Sequence, residues 1–271
     1  MKVGLIQTRT PATHAAALAH TLPLVREAAA GGARLIVTPE GTNILQKDRA
    51  QLLPQLTLLA DDPVVNGLRD VARDLCVWID IGSALVRRDD GKAANRQVLI
   101  RPDGSIAATY DKLHMFDVDL PTGETARESE TYEPGEVAVT ADVDGLKLGL
   151  TICYDLRFPA LYRALALAGA EVMTIPAAFT RPTGEAHWEV LMRARAIETG
   201  SYVLAPAQGG RHEDKRGTWG RSLVVEPWGA VIARLDHDEP GVLLADLDPA
   251  APARARAAIP ALANARSFTG P

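Results

Sequence analysis

An α/β fold of mixed sheets faced by helices is the class this chain predicts, on three observations. Short apolar runs alternate with helical periodicity over residues 2–75, and they do so again after residue 145. Paired turn signals divide the stretch between into strands, and no segment is long and uncharged enough to span a bilayer. The length of 271 residues, 47% hydrophobic, is ample for a packed core, and no linker interrupts it. One domain over residues 1–271 is therefore expected.

Residues 2–8, Lys2-Val3-Gly4-Leu5-Ile6-Gln7-Thr8, read as a buried strand. Leu18, Leu22, Val25 and Ala29 then recur at helical spacing until Gly31-Gly32 stops them, with a kink expected at Pro23. A second strand covers 34–38. A second helix starts with Asp62 as N-cap and Pro63 in its first turn, and carries Val64, Leu68, Val71 and Leu75. From Val77 to Tyr110 two or three strands are turned at Arg88-Asp89-Asp90-Gly91 and at Arg101-Pro102-Asp103-Gly104. Cys76, between Leu75 and Val77, reads as inert core. An apolar strand over 145–152 precedes Cys153, and Pro159, Leu161, Leu165 and Ala168 mark a helix that ends at Gly169. Strands at 172–175 and 202–205 bracket a helix from about His187 to Thr199, and strands at 222–225, 231–233 and 242–245 close the core. Residues 249–271, rich in Ala, Pro and Arg, cannot build a core and are expected to pack as an arm on this subunit or a partner.

Composition narrows the function. The net charge is -5 and no Lys/Arg block stands out, which argues against nucleic acid or an anionic membrane surface and for a small-molecule partner. Two cysteines, with no basic-then-apolar N-terminal segment, favour a reducing cytoplasm. The six histidines lack the close pairing of zinc ligands, and neither G-x-G-x-x-G nor a phosphate-binding P-loop occurs, so no metal or nucleotide cofactor is expected.

Cys153 stands where the apolar strand over 145–152 meets the polar elbow Tyr154-Asp155-Leu156-Arg157. The elbow is expected to point the thiol out of the sheet, close to a helix N-terminus whose partial positive charge favours thiolate. Glu40 follows the strand over 34–38, and Lys112 follows a strand and Tyr110-Asp111, so three reactive side chains share strand-end positions. Taken singly, each is an ordinary core thiol or surface charge. Together, a carboxylate can take the thiol proton and hand it to a leaving amine while a fixed ammonium stabilises an oxyanion.

The motifs Thr38-Pro39-Glu40, Tyr110-Asp111-Lys112-Leu113-His114 and Ile152-Cys153-Tyr154-Asp155-Leu156-Arg157-Phe158-Pro159 resemble those of the nitrilase, or carbon-nitrogen hydrolase, superfamily, in the same order and across essentially the whole chain. The resemblance implies a four-layer αββα sandwich of two mixed sheets, assembled as a homodimer or larger homo-oligomer through a helical face and the C-terminal arm. It implies a Glu40-Lys112-Cys153 triad, a fourth polar residue best matched by Glu128 with Glu130 and Glu133 nearby, and the Tyr154 backbone N–H as an oxyanion donor beside Lys112. Phe116-Asp117-Val118-Asp119, Ala177-Ala178-Phe179-Thr180 and the stretch from Ala186 to Glu198 look like its Nit branch. That branch implies a cytoplasmic amidase without a cofactor, releasing ammonia through a thioester from deaminated glutathione or the ω-amide of a 2-oxo acid. Tyr154, Phe179, Arg181 and Thr183 are the expected substrate-binding residues. Arg181 is the first candidate for a substrate carboxylate and Arg157 the second. An N-carbamoyl amino-acid hydrolase, a nitrilase and a catalytically silent binding protein are the competing readings. Arg195 and Glu198 read as a helical ion pair, Trp188, Leu191 and Met192 as packing, and His114 and His187 as structural histidines.

Overall fold

Strand β1 (Lys2–Gln7) sends alternate residues to opposite sides, Val3 and Leu5 into one core and Ile6 into another. That division organises the molecule, which the computed structural model describes over residues 1–120, 123 and 125–270. After β1 come α1 (His14–Ala30), β2 (Leu35–Val37), the short α2 (Arg49–Leu52), α3 (Pro63–Leu75), β3 (Trp78–Arg87), β4 (Ala93–Ile100) and β5 (Ile106–Asp111). The paired strands β6 (Asp117–Asp119) and β7 (Thr125–Arg127) lead to β8 (Val139–Val143), β9 (Leu146–Leu150), α4 (Pro159–Leu167), β10 (Val172–Thr174), α5 (Arg181–Thr199) and β11 (Tyr202–Ala205). A second pair, β12 (Gly209–Arg211) and β13 (Gly217–Trp219), precedes β14 (Leu223–Val225), β15 (Val231–Arg234), β16 (Gly241–Asp246) and α6 (Ala251–Ala258).

Two six-stranded sheets result, ordered β16-β1-β2-β3-β4-β5 and β15-β14-β11-β10-β9-β8. Both are mixed: β1, β2 and β3 run parallel, as do β9, β10 and β11, and the outer strands are antiparallel. Helices α1 and α3 cover the first sheet, with Val25, Ala28, Val64, Leu68 and Ala72 buried against Ile36, Ile79 and Ile81. Leu161, Leu165, Trp188 and Met192 of α4 and α5 are buried with the second sheet, completing the αββα sandwich. No helix among the described residues is long and apolar enough to cross a membrane.

The backbones come closest at Gly82 on β3, where a Cβ would stand 1.9 Å from the Thr38 carbonyl oxygen and 2.3 Å from Pro176. Any side chain there would drive apart the two strand ends that carry the candidate site.

Several expectations are adjusted. Helix α5 starts at Arg181 rather than near His187, because Thr180 is its N-cap and Pro182, a loop signal in sequence, fits the first turn. Pro23 lies inside α1 without ending it. Cys76 is exposed, not core. It is the left-handed cap of α3 (φ 52°), and the chain turns there into β3, leaving its side chain in solvent. Of the expected arm, Ala251 and Pro252 are buried, Arg256 donates to the Thr199 carbonyl (3.0 Å), and residues 263–270 lie exposed.

Candidate active site

Glu40 is placed by a short, heavily bonded turn after β2. The Thr38 hydroxyl accepts from the Gly82 amide (3.1 Å), and the Thr42 hydroxyl stands 2.7 Å from both the Thr38 hydroxyl and the Pro39 carbonyl oxygen, its one proton serving either. Gly41, at φ 68°, donates to the Ser83 hydroxyl (2.8 Å), while the Gln208 side chain donates to the Glu40 carbonyl (2.9 Å). The turn is rigid, so the carboxylate is aimed.

Cys153 follows β9 in a left-handed conformation (φ 48°), which strains a non-glycine residue by about 1–2 kcal/mol. Its amide donates to the Pro176 carbonyl (2.9 Å) and the Ile152 amide to the Asp155 carboxylate (2.9 Å), holding the elbow in that shape. Asp155 is fully buried and also accepts from Tyr110 (2.6 Å), the His114 amide (3.1 Å) and the His114 ring (2.7 Å). One carboxylate thus ties the thiol elbow to the loop that carries Lys112.

The structure brings Glu40, Lys112, Cys153 and Glu128 together. The Lys112 ammonium stands 2.9 Å from Glu40 Oε1 and 2.9 and 2.8 Å from the two Glu128 oxygens, so its three donors are all engaged. Glu40 Oε2 accepts the Ala178 amide (3.0 Å), and Glu128 Oε2 the Phe116 amide (2.6 Å). The Cys153 thiol lies beside Glu40 and Lys112, near enough for both charges to bear on its titration. Burial works against the Glu40 charge, but the Lys112 ammonium, the thiol and the Asn95 amide overcome it and hold this carboxyl below its ordinary range. Lys112 is also buried, and the Glu128 and Glu40 carboxylates hold its pKa well above normal.

The thiolate expected from the neighbouring helix N-terminus is not found. Cys153 is 9% exposed rather than pointed outward, and burial, with the Glu40 carboxylate beside it, pushes the thiol well above its ordinary pKa. The weak helix field loses to desolvation and a full charge in contact. The resting pair is therefore a thiol and a carboxylate.

Above these groups lies a cavity of about 690 Å³. Tyr154, Phe179 and Thr183 line it as expected, and Arg157 joins them, its guanidinium over the Tyr154 and Phe179 rings at 5.9 and 5.5 Å. Arg181 does not line it. Its exposed guanidinium is paired with Asp238, so the first expected carboxylate ligand lies outside the cavity. The Tyr154 amide falls in the first turn of the segment Cys153–Arg157, where backbone N–H groups have no intrahelical acceptor. Glu130 lines the cavity but is exposed, and Glu133 instead pairs with Lys92 (2.9 Å). Arg195 is buried on the Leu156 carbonyl (3.0 Å) and Glu198 (2.6 Å), and the His187 ring meets Arg157 at 3.3 Å.

Sequence reasoning missed Asn95. Its amide donates to Glu40 Oε1 (2.9 Å) and to Glu128 Oε1 (3.2 Å), and its carbonyl oxygen of the main chain accepts from the Lys112 amide (3.0 Å). The signal was a polar pair, Asn95 and Gln97, on one side of an otherwise buried strand. The cations Lys47, Arg49, Lys215 and Arg216, which also line the cavity, were missed because they lie in two segments far apart in sequence, one leading into α2 and the other the β12–β13 turn.

An αββα sandwich with a buried thiol, carboxylates and a lysine at its strand ends defines a class of hydrolase. The chain belongs to the carbon-nitrogen hydrolase family, whose model matches residues 2–257, and is accordingly a hydrolase of carbon–nitrogen bonds. It is 44% identical over 206 residues to the deaminated glutathione amidase of Yersinia enterocolitica, covering 75% of this chain and 72% of that one. With the deaminated glutathione amidase of Homo sapiens the identity is 43% over 230 residues, covering 83% and 70%. The crystal structure of the C. elegans NitFhit protein superposes with a TM-score of 0.91 at 30% identity, covering 98% of this chain and 65% of that longer one.

Proposed function

We propose that this protein is a cysteine-dependent amidase that cleaves a small carboxylate-bearing amide, of the deaminated-glutathione or 2-oxo-acid ω-amide type, through a thioester on Cys153. The observation that carries the reading is a buried thiol beside a carboxylate that is itself 2.9 Å from a lysine. The names of the relatives support the substrate class.

Glu40 accepts the thiol proton as Sγ forms its bond to the amide carbonyl carbon, and the oxygen that becomes negative is met by the Lys112 ammonium and the Tyr154 N–H. Since the Lys112 protons are all engaged at rest, the substrate oxygen takes one from a carboxylate, a contact that strengthens as charge develops. Glu40 then gives its proton to the nitrogen as the C–N bond breaks, releasing ammonia or an amine. In the second half Glu40 draws a proton from water, the hydroxyl adds to the thioester carbon, and the sulfur leaves and recovers a proton. Glu128 holds the lysine charged and in place throughout. The mechanism needs no cofactor. We place the protein in the cytoplasm as one domain with a C-terminal arm, working as a homodimer or larger homo-oligomer.

The test is mass spectrometry of the quenched enzyme with an amide substrate. An acyl adduct on Cys153 that vanishes with product formation is expected; turnover with no adduct on this residue under any quench would remove the thioester.

A further inference from the structure

A third apolar cluster, apart from the two larger cores, joins Ile44, Leu52, Leu56, Leu85 and Ala93, and the Tyr132 ring packs against it. Leu52 and Leu85 also line the cavity, so it has an aliphatic wall as well as the aromatic one of Phe116, Tyr154 and Phe179, and Tyr132 is set in the aliphatic wall. The main chain holds it there. The Tyr132 amide donates to the Glu128 carbonyl (3.0 Å), Tyr132 bridges Ala93 at the start of β4, and the Glu133 amide donates to the Ala93 carbonyl (2.9 Å). A bond between residues i and i+4 puts their side chains on one face of the turn, and the Glu128 carboxylate on that face reaches Lys112 (2.8 Å). Ring and hydroxyl of Tyr132 are thus divided between leucines and the polar groups of the site.

The hydroxyl has no hydrogen-bond partner among the described residues, and it is not one of the sealed, unpaired polar atoms of the interior, so it opens on the cavity. Other uncharged polar side chains of the walls are spent on the protein: Gln46 on Gln51 (3.0 Å) and the Asp48 amide (2.8 Å), Asn95 on Glu40 and Glu128, and Thr218 on His212 (2.7 Å). A buried tyrosine hydroxyl ordinarily finds a partner, and a few polar groups set among apolar ones are how a pocket orients its ligand. Burial, and after it the Glu128 charge, raises the phenol above its ordinary range, with Arg216 only partly offsetting them. The group therefore stays neutral and keeps a proton to donate.

We propose that Tyr132 is a specificity-determining residue, its hydroxyl donating a hydrogen bond to an oxygen of the bound amide outside the scissile group, so that amides rich in oxygen acceptors are preferred to plain aliphatic ones. The proposal rests on the amidase reading above. An amide without a second oxygen leaves this hydroxyl facing carbon with its water displaced, which is the costly mismatch that makes such a group selective.

The probes are 2-oxoglutarate joined through its 5-carboxyl to glycine, which carries oxygen acceptors on both sides of the scissile bond, and butyramide, which carries none beyond it. The ratio of kcat/KM, glycine amide over butyramide, is expected to fall about threefold to tenfold in Tyr132→Phe, the size of one neutral hydrogen bond. An unchanged ratio with turnover intact overturns the proposal and leaves the amidase reading standing. Thermal melts test the premise without any amide: Tyr132→Phe keeps the ring and should keep Tm, whereas a drop of about 2 °C or more would show the hydroxyl serving the fold and overturn the proposal. Calorimetry separates it from failure of the amidase reading. Weaker binding of the glycine amide to Cys153→Ala/Tyr132→Phe than to Cys153→Ala sustains the contact even if the unaltered protein hydrolyses neither probe, and equal affinity, or no binding to either, overturns it.

Discussion

Replacing Cys153 with alanine is expected to abolish amide turnover while the fold persists, and Glu40→Gln and Lys112→Ala should each lower kcat by at least about 10²-fold, the scale of a lost general base or oxyanion donor. Steady-state kinetics check all three, and near-normal rates in either charge variant would make that residue scaffolding. Because Glu40 is held below its usual value of 4.5, the acid limb of kcat/KM should lie below pH 4.5 as long as the fold survives. Asn95→Leu removes a donor from Glu40 and should shift that limb upward; a variant that only lost stability would leave the limb in place. Arg181→Ala should change KM for an acid-bearing amide and for its methyl ester alike, since Arg181 pairs with Asp238 outside the cavity. The grouping of Glu40, Lys112 and Cys153, the trio proposed for catalysis, was legible because each member interrupts an apolar strand end with a charge or a thiol. Asn95 was less so: an amide in a strand carries no signal of the two carboxylates that segments after β2 and β7 will bring to it. The protonation of Cys153 was not legible either, since desolvation depends on how many other segments close over the thiol.

The elements read best where a single turn of chain decides them. Asp62 was expected as the N-cap of α3 and accepts from the Val64 and Val65 amides (both 2.9 Å). It also accepts from the Asn43 amide (2.7 Å), which no local pattern announces. Asp62→Ala should therefore exceed the about 0.5–2 kcal/mol of a lost cap, because Asn43 is left with a buried unpaired donor. Chemical denaturation measures it, and a loss under about 0.5 kcal/mol would show that water replaces the cap. The strands β6, β7, β12 and β13 escaped notice because three-residue ladders lack the length that makes alternation visible. Two of them, β7 and β13, line the cavity, which is why the scaffold was readable before the walls of the site were.

Across the whole molecule, the two sheets meet through a polar contact in which Gln97 on β4 bridges Asp80 on β3 (2.8 Å) and Thr174 on β10 (2.8 Å). Burial raises the Asp80 carboxyl from 3.8 to about 7. A folded-state value above the unfolded one means that the native protein binds the extra proton, so the contribution is full below pH 3.8 and is lost as pH rises through about 7. Relative to Asp80→Asn, which stays neutral, the unaltered protein should lose stability on the order of a few kcal/mol between pH 4 and pH 8. Thermal melts of both proteins at the two pH values check this, and parallel pH dependence would mean that Asp80 is ionised at rest. The distribution of the two sulfurs is also a property of the whole molecule. With Cys153 closed over and Cys76 standing in solvent, oxidants and alkylating agents arriving from outside meet the dispensable sulfur first. A preparation that has gained one sulfenic acid or one carbamidomethyl group is thus expected to remain almost fully active, because that group sits on Cys76, which does not line the cavity.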